Sequence, residues 1–490
     1  MSRTVVVAGA GPTGLMLACE LALAGVRTIV VEPRTEPPGV SQGMAIHGRT
    51  LEAFRQRGLA ERIPPGTAPA WPRTPFALLW LDLAAVGEQD HTYVFPQWRT
   101  ERLLAEHAEG LGVTILRGRT VVGVGQDDLG VSVTVRAADG AEETLRCAYA
   151  VGCDGERSAV RDLAGIAFPE EGMPYYGVMG DVELAPGADA PFESGVFPAG
   201  MSSAIPLRPG LVRLMTVEFG VQCPDPSVPV TADELRASIE RITGTAVTIG
   251  DPGWVSRFGN HTRLAGAYRN GRVFVAGDAA HVLFVSGTQG LNAGIQDAVN
   301  LGWKLAAAVH GWAPPGLLDT YEAERRPFGE RICVHARAQM SLLHPVHTIA
   351  ELRGIFAGLL RSEAVNRYLL EMSTKDTPPG LGDRITDLPL TAAGGVATPG
   401  ELLRGGRAVL LDASAGGLDL TAAKGWADRL DVVGVEPDER LGGAAVLLRP
   451  DGYVAALVPA GGDPGGLWDA LAAWLGAPEG DGATNPRRWS

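Results

Sequence analysis

Residues 272–305, RVFVAGDAAHVLFVSGTQGLNAGIQDAVNLGWKL, read as an apolar strand, a small-residue turn, a glycine-rich loop and a long helix. Val273, Phe274, Val275 and Ala276 form the short apolar run expected of a strand covered on both faces, and Gly277 ends it. Ile295, Val299, Gly302, Ala306 and Val309 then recur at spacings of four and three, which puts them on one helical face. The amino end of that helix lies near Gly290, Leu291 and Asn292. Its first amides have no intrahelical acceptor and the helix dipole adds positive charge, so this end can hold an anion or a reduced, negatively charged ring. Asp278, at the other end of the loop, can accept hydrogen bonds from sugar hydroxyls. An ordinary strand-to-helix crossover capped by an acid reads the same way, so the stretch takes its meaning from the rest of the chain.

The amino terminus supplies that meaning. Thr4 to Ala8 is a β-branched strand, Gly9, Gly11 and Gly14 make GxGxxG, and Leu15 to Ala24 is a helix closed by Gly25. A second strand, Thr28 to Val31, ends in Glu32, 18 residues past Gly14. Strand, turn, helix, strand and acid together are the dinucleotide fingerprint in its required context. The carboxylate suits the hydroxyls of an unphosphorylated ribose, so FAD or NAD fits this site better than NADP. Arg3 followed by an apolar, small-residue run also resembles an export signal, but the glycine spacing explains it better.

Composition narrows the class. The 490 residues are 46% hydrophobic and 20% charged, which suits two to four domains with ample core. A net charge of -14 argues against nucleic acid or an anionic membrane as partner. No apolar run reaches the length of a membrane span. Five cysteines are scattered without a CxxC pair, which indicates a reducing cytoplasm rather than a disulfide framework. Neither a Ser/His/Asp triad signature nor a metal cluster is visible, and His281 within GDAAH is read as structural.

Between the two nucleotide signals, a short helix is expected over Arg49 to Arg57, a strand over Phe76 to Leu83, and a helix over Thr100 to Glu109 preceded by Gln97. A strand over Val113 to Leu116 and a three-stranded meander over Arg119 to Ala148 follow. A purely nicotinamide-binding domain would keep alternating strand and helix, so the meander favours a flavin fold. In YAVGCDGERSAVRDLAGI, a strand delivers Asp154 and Gly155 to a turn, with Arg157, Ser158 and Arg161 at a helix start. An acid beside guanidinium groups can bind phosphate, although a capped helix start with surface arginines is the plainer reading. From Pro169 to Arg263 strand candidates dominate, interrupted by a helix over Ala232 to Ile242. This predicts a second, antiparallel domain whose sheet covers the nucleotide domain and makes a cleft. Helices are expected over Leu318 to Arg326, Glu330 to Leu343 and Ala350 to Met372. The last hundred residues read as a small α/β unit, with parallel strands Arg407 to Asp412 and Leu430 to Val435, a hairpin turning at Pro450 to Gly452, and a disordered tail after Gly476.

Taken together these residues resemble the single-component FAD-dependent aromatic hydroxylases, and among them the bacterial enzymes that tailor polycyclic aromatic polyketides of the angucycline and anthracycline type. Three signatures carry the resemblance in order: GAGPTG with Glu32, CDGERSAVR, and GDAAH followed by QGLNAGIQDAVNLGWKL. The implied fold is α/β. It has a Rossmann-like FAD-binding domain of the p-hydroxybenzoate hydroxylase type over residues 1–168 and 264–384, and an antiparallel-sheet substrate domain over 169–263 that residues 75–95 would join. A thioredoxin-like domain over 385–490 lacks CxxC, so its implied role is packing or homodimer formation rather than redox chemistry.

The resemblance also implies roles. Gly9, Gly11, Gly14 and Glu32 would hold the adenosine diphosphate part of a non-covalent FAD, Gln97 and Asp278 would contact the ribityl chain, and Arg34 and Gly277 would belong to the same cofactor site. Gly290, Leu291 and Asn292 would offer backbone amides to the flavin, while Asp154 and Arg161 match a motif linked to both FAD and NADPH. The implied chemistry is reduction by NADPH, reaction with dioxygen to a flavin hydroperoxide, and hydroxylation of a polycyclic phenol in antibiotic biosynthesis. A Baeyer-Villiger oxygenase acting on a polycyclic ketone and a catalytically silent FAD-bound scaffold are the alternatives. No WxWxIP stretch suggests a halogenase. Two departures bear on the pocket: Phe284 and Val285 stand where the family often has proline, and Gln42 where it often has arginine, with Pro33 directly after Glu32 and Arg34 and Arg49 as candidate replacements. Trp98, Tyr175, Tyr176, Met201, Phe219, Phe284 and Val285 are the pocket candidates.

Overall fold

A computed structural model describes residues 3–41, 43–71, 73–83, 91–171, 175–184, 194–208, 210–225, 227–259, 262–284, 289–385, 387–392 and 394–478. The central sheet has six strands in the order Arg269–Asn270, Val273–Val275, Tyr149–Gly152, Thr4–Ala8, Arg27–Glu32 and Thr114–Arg117. All pairings are parallel except the first, with Val5 opposite both Thr28 and Tyr149 and Ala150 opposite Val273. Layers cover both faces, which is why Val5, Val7, Val30, Phe274 and Val275 are wholly buried and the strands read as unbroken apolar runs. The helices Pro12–Leu23 and Gln289–His310 lie against each other on one face. Their close approach depends on Gly294 and Gly302, where a Cβ would overlap Thr13 Oγ1 and Glu20 Cβ respectively. The three-stranded meander Arg119–Asp127, Gly130–Ala137 and Glu142–Cys147 forms as expected.

The middle sheet is antiparallel, in the order Gly195–Phe197, Gly200–Arg208, Leu211–Phe219, Tyr175–Glu183 and Trp254–Phe258. Its two-residue period divides neighbours between faces. Tyr175, Met179, Met201 and Val217 pack toward Phe284, whereas Tyr176, Val178 and Val182 pack with Leu235 and Ile239 of the helix Ala232–Thr243.

Three expectations are corrected. The strand expected over Phe76 to Leu83 is a hairpin, Arg73–Phe76 and Leu79–Asp82, turning at Ala77 and Leu78 with φ of 53° and 56°. Neither residue signals a turn, and the left-handed backbone is held by tertiary contacts, including the Ala77 N–H donating to Gln339 Oε1 at 3.0 Å. The helices expected over Leu318 to Arg326 and Glu330 to Leu343 are one helix, Asp319–Ser341, continuing through Pro327 because Arg325 and Phe328 are buried on both sides of the ring. The helix expected over Ala350 to Met372 is two, Val346–Leu359 and Glu363–Thr374, parted where Asn366 Nδ2 donates to the Leu360 and Ser362 carbonyls.

The last unit is a five-stranded sheet ordered Gly382–Arg384, Tyr453–Val458, Ala445–Leu448, Ala408–Asp412 and Leu430–Gly434, closed by the helix Gly465–Leu475. The expected parallel pair and hairpin are both present. Gly382–Arg384 reaches into this sheet from before residue 385, and the expected disordered tail lies mostly outside the described residues. The unit docks on the nucleotide domain through buried charge. Arg449 meets Glu324, which also takes Lys304 at 2.9 Å and Asn300 at 2.6 Å, and Arg57 joins Glu20 to the Leu403 and Pro450 carbonyls. Among the described residues no helix is long and apolar enough to cross a membrane and no metal-binding cluster occurs.

Candidate active site

A cavity of roughly 1280 Å³ runs between the nucleotide domain, the middle sheet and the hairpin Arg73–Asp82. Its nucleotide side is formed by Gly43, Gln97, Asp278, Gln289, Gly290 and Leu291, and its far side by Tyr175, Met179, Met201 and Phe284, with Leu78 and Trp80 on the hairpin. The volume exceeds the 300–1,000 Å³ that an ordinary small-molecule pocket occupies, so it can hold a cofactor head group and a second ligand together.

At the turn after the first strand, the three glycines do different things. Gly9 has φ of 98° and a Cβ there would overlap the Cys153 carbonyl, while a Cβ on Gly14 would overlap the Gly9 carbonyl. Gly11 has nothing within 4 Å of its Cβ position. The outer glycines therefore let the turn pack, and the middle one leaves its surface free for close approach by a pyrophosphate. Glu32 is 3% exposed, accepting from Ala10 N at 2.7 Å and from Arg34 N and Nε at 3.0 and 2.8 Å. Burial works to raise its carboxyl, but the Arg34 guanidinium and the two amides outweigh burial and hold it below the usual carboxylate range. Arg34 also lies 3.7 Å from Glu101, whose other oxygen accepts from Gln97 Nε2 at 2.8 Å. Burial raises Glu101. The sequence reading missed Glu101, although its place four residues after Gln97 sets both on one helical face.

At the second signal, Gly277 has φ of 61° and a Cβ there would lie 2.5 Å from Thr13 Oγ1. The Asp278 carboxylate opens into the cavity, with Oδ1 3.5 Å from the Cβ position of Gly290. Enclosure by the walls raises its carboxyl, His281 opposing and Asp297 adding to the effect. The amides of Gln289, Gly290 and Leu291 open the helix Gln289–His310 and have no acceptor within it. The Asn292 side chain is committed elsewhere, its Oδ1 accepting from His47 N and Thr50 Oγ1 at 2.7 Å each. Behind the loop, Asp297 accepts from Gly277 N at 3.0 Å and Arg325 Nε at 2.7 Å and pairs with His281 Nε2 at 2.8 Å, which places His281 in a buried scaffold.

Asp154 and Arg161 turn inward. Asp154 accepts from Ser158 Oγ at 2.5 Å and Val160 N at 3.2 Å, capping the helix Ala159–Leu163. Arg161 donates to Asp162 and to the Glu156 and Ala279 carbonyls, with its guanidinium 3.9 Å from the Phe168 ring centre. Both buttress the loop, and the same motif turns Glu156 and Arg157 to the cavity. Arg34 and Arg49, the expected phosphate replacements, are each paired with a carboxylate, Glu32 and Glu52.

Among the pocket candidates, Phe284, Tyr175 and Met201 line the cavity, Phe284 meeting Tyr175 edge-on at 5.1 Å. Three others do not. Trp98 lies beside the guanidinium groups of Arg99 and Arg102, 5.2 Å from each. Tyr176 sits on the opposite sheet face with its hydroxyl on Glu234, and Phe219 packs against His344 at 5.2 Å. Val285 and Gln42 lie outside the described residues. Leu78, Glu156 and Gln289 are wall residues the sequence reading missed, because loop or helix-end side chains carry no periodicity to aim them.

The chain matches the FAD binding domain model over residues 2–336 and the model for the carboxy-terminal region of aromatic-ring hydroxylases over 378–478. It belongs to the FAD-dependent aromatic-ring hydroxylases. A dialkyldecalin synthase of Streptomyces rugosporus is 43% identical over 480 residues, covering 97% of this chain and 99% of that protein. A rifampicin monooxygenase of Streptomyces venezuelae is 43% identical over 499 residues, covering 96% and 98%. The crystal structure of an aromatic hydroxylase from angucycline biosynthesis superposes with a TM-score of 0.90 at 38% identity, covering 98% of this chain and all of that one. The open surface at Gly11, the buried acid at Glu32 and the helix start at Gly290 and Leu291 on the cavity wall fit FAD. The hydroxylase is thus a flavin-dependent monooxygenase.

Proposed function

We propose that this hydroxylase oxygenates a polycyclic aromatic polyketide with NADPH and dioxygen as co-substrates, in the making of an antibiotic. The observation that carries the reading is the continuity of the cavity, which joins the amino end of the helix Gln289–His310 to a wall of Tyr175, Met179, Met201 and Phe284. Gly11, Glu32 and Asp278 would hold FAD, and the bound flavin supplies electron uptake from the nicotinamide and activation of dioxygen. The amides of Gly290 and Leu291 stabilise negative charge at the inner end of the site. The apolar wall excludes water and suits a flat polycycle, stacking it or meeting it edge-on. Glu156 lines the same space, and burial raises its carboxyl, which suits it to accept and return a ligand proton.

The dialkyldecalin synthase relative favours a second reading, in which the FAD-bound protein shapes a ring closure without redox turnover. NADPH oxidation in air, measured with and without a panel of polycyclic phenols and with product structures solved, separates the two. Strong stimulation with a new ring hydroxyl is expected. A lactone product would convert the reading to Baeyer-Villiger oxidation, and absence of NADPH oxidation by the FAD-loaded protein would leave the non-redox reading.

A further inference from the structure

His335, on the helix Asp319–Ser341, is 3% exposed and lies between two glutamines. Gln289 Nε2 is 3.0 Å and Gln339 Nε2 3.2 Å from its Nδ1. The orientation of Gln339 is set independently, because its Oε1 accepts the Ala77 N–H at 3.0 Å and its other end must be the amino group. An amide NH₂ cannot accept, so His335 Nδ1 carries the lone pair and the proton of the neutral ring is on Nε2. Burial pushes the His335 imidazolium down to about 4, which keeps the ring neutral at ordinary pH. The same lone pair faces Gln289, which must therefore also present its NH₂. Its carbonyl oxygen is left without a hydrogen-bond partner among the described residues, and Gln289 stands between the large cavity and the small pocket it shares with His335. Gln289 opens the helix Gln289–His310, next to Gly290 and Leu291. The other end of the chain of contacts holds the left-handed turn that sets Leu78 on the cavity wall.

We propose that Gln289 is a specificity-determining residue whose side-chain oxygen accepts a hydrogen bond from a hydroxyl of the bound polycyclic ligand, and that His335 is the positioning residue that keeps this oxygen turned to the cavity. The inference rests on the aromatic-hydroxylase reading above. A site built to accept a ligand hydroxyl discriminates against the analogue that lacks it, because the acceptor is then left buried and unpaired. Without His335 the carboxamide is free to turn over and present NH₂, which suits a ligand carbonyl rather than a hydroxyl.

The test titrates the FAD-loaded protein with 2-hydroxyanthraquinone and with anthraquinone, following the flavin absorbance. The wild type is expected to prefer the hydroxylated compound. Gln289→Leu should reduce that preference about tenfold in the FAD-loaded protein. His335→Leu should lower the preference equally, and His335→Asn, whose side-chain oxygen can accept from Gln289, should restore it. A preference that survives Gln289→Leu overturns this inference alone, and one that survives His335→Leu overturns the positioning role. Absence of binding of either compound to the wild type overturns the aromatic-ligand reading and this inference with it.

Discussion

Arg449 and Glu324 meet in a two-point buried contact, Nη1 to Oε1 at 2.8 Å and Nη2 to Oε2 at 2.9 Å, across the junction between the last sheet and the nucleotide domain. Asp451 and Lys304 complete the cluster, and all four residues are less than 9% exposed. Breaking such a pair from one side leaves a charge buried without its partner, which costs about 3–5 kcal/mol. Arg449→Met is therefore expected to lower the urea midpoint markedly and to loosen the whole chain, not the last unit alone. An unchanged midpoint would show that the cluster contributes nothing to docking.

His335 gives a pH dependence of stability. Its folded value of about 4 lies below the ordinary 6.5, so the unfolded chain binds more protons between these values. The contribution is fully present above about pH 6.5 and is lost as pH falls toward 4, amounting to about 3 kcal/mol if the whole shift is realised. Urea midpoints at pH 7 and 4.5 should converge in His335→Gln relative to wild type. Parallel slopes for the two proteins would refute the assignment.

Glu32 is expected to govern cofactor affinity rather than folding. It is held ionised by Arg34 and by the Ala10 amide, where a ribose would meet it. Glu32→Gln should weaken FAD binding by tenfold or more, read as flavin fluorescence on release, because a hydrogen bond to a charged group is worth about 1.5–3 kcal/mol. A dissociation constant equal to wild type would remove Glu32 from the site.

The Ala77–Leu78 turn carries strain that glycine would relieve. Both residues have φ near 55°, a conformation that costs an L-residue roughly 1–2 kcal/mol. Ala77→Gly relieves that strain but gives up about 0.8 kcal/mol for a wholly buried methyl and about 0.4–1 kcal/mol of chain entropy, so stability should stay within about 1 kcal/mol of wild type. A larger loss of stability would mean that packing of the methyl outweighs the backbone term.

The hairpin also shows where the chain is hard to read. Nothing in FALLWL marks a turn, because the left-handed backbone is imposed by Gln339, 262 residues away. Pro327 reads as a helix end, yet the helix Asp319–Ser341 passes through it because its neighbours Arg325 and Phe328 are buried in the core. Tyr175 and Tyr176 are adjacent and chemically alike, and only the sheet's register against the helix Ala232–Thr243 decides that the first lines the cavity and the second does not. Asp154 sits at the capped helix start of the plainer reading, but Arg161 is buried rather than on the surface, because the Glu156 and Ala279 carbonyls and the Phe168 ring that enclose it are brought there by the fold.

By itself the sequence determined the nucleotide end. Gly9, Gly11, Gly14, Gly277 and Asp278 sit at tight turns between a strand and a helix, and such turns are marked by glycine spacing along the chain. The flavin family and the parallel core followed from the same local signals. Only the tertiary structure decided the ligand end of the cavity. Its walls come from Leu78, Tyr175, Met201 and Phe284, segments far apart in the chain that become neighbours through packing. Which face of each segment points inward is set by contacts such as those of His335 and Gln339, and no local pattern encodes them.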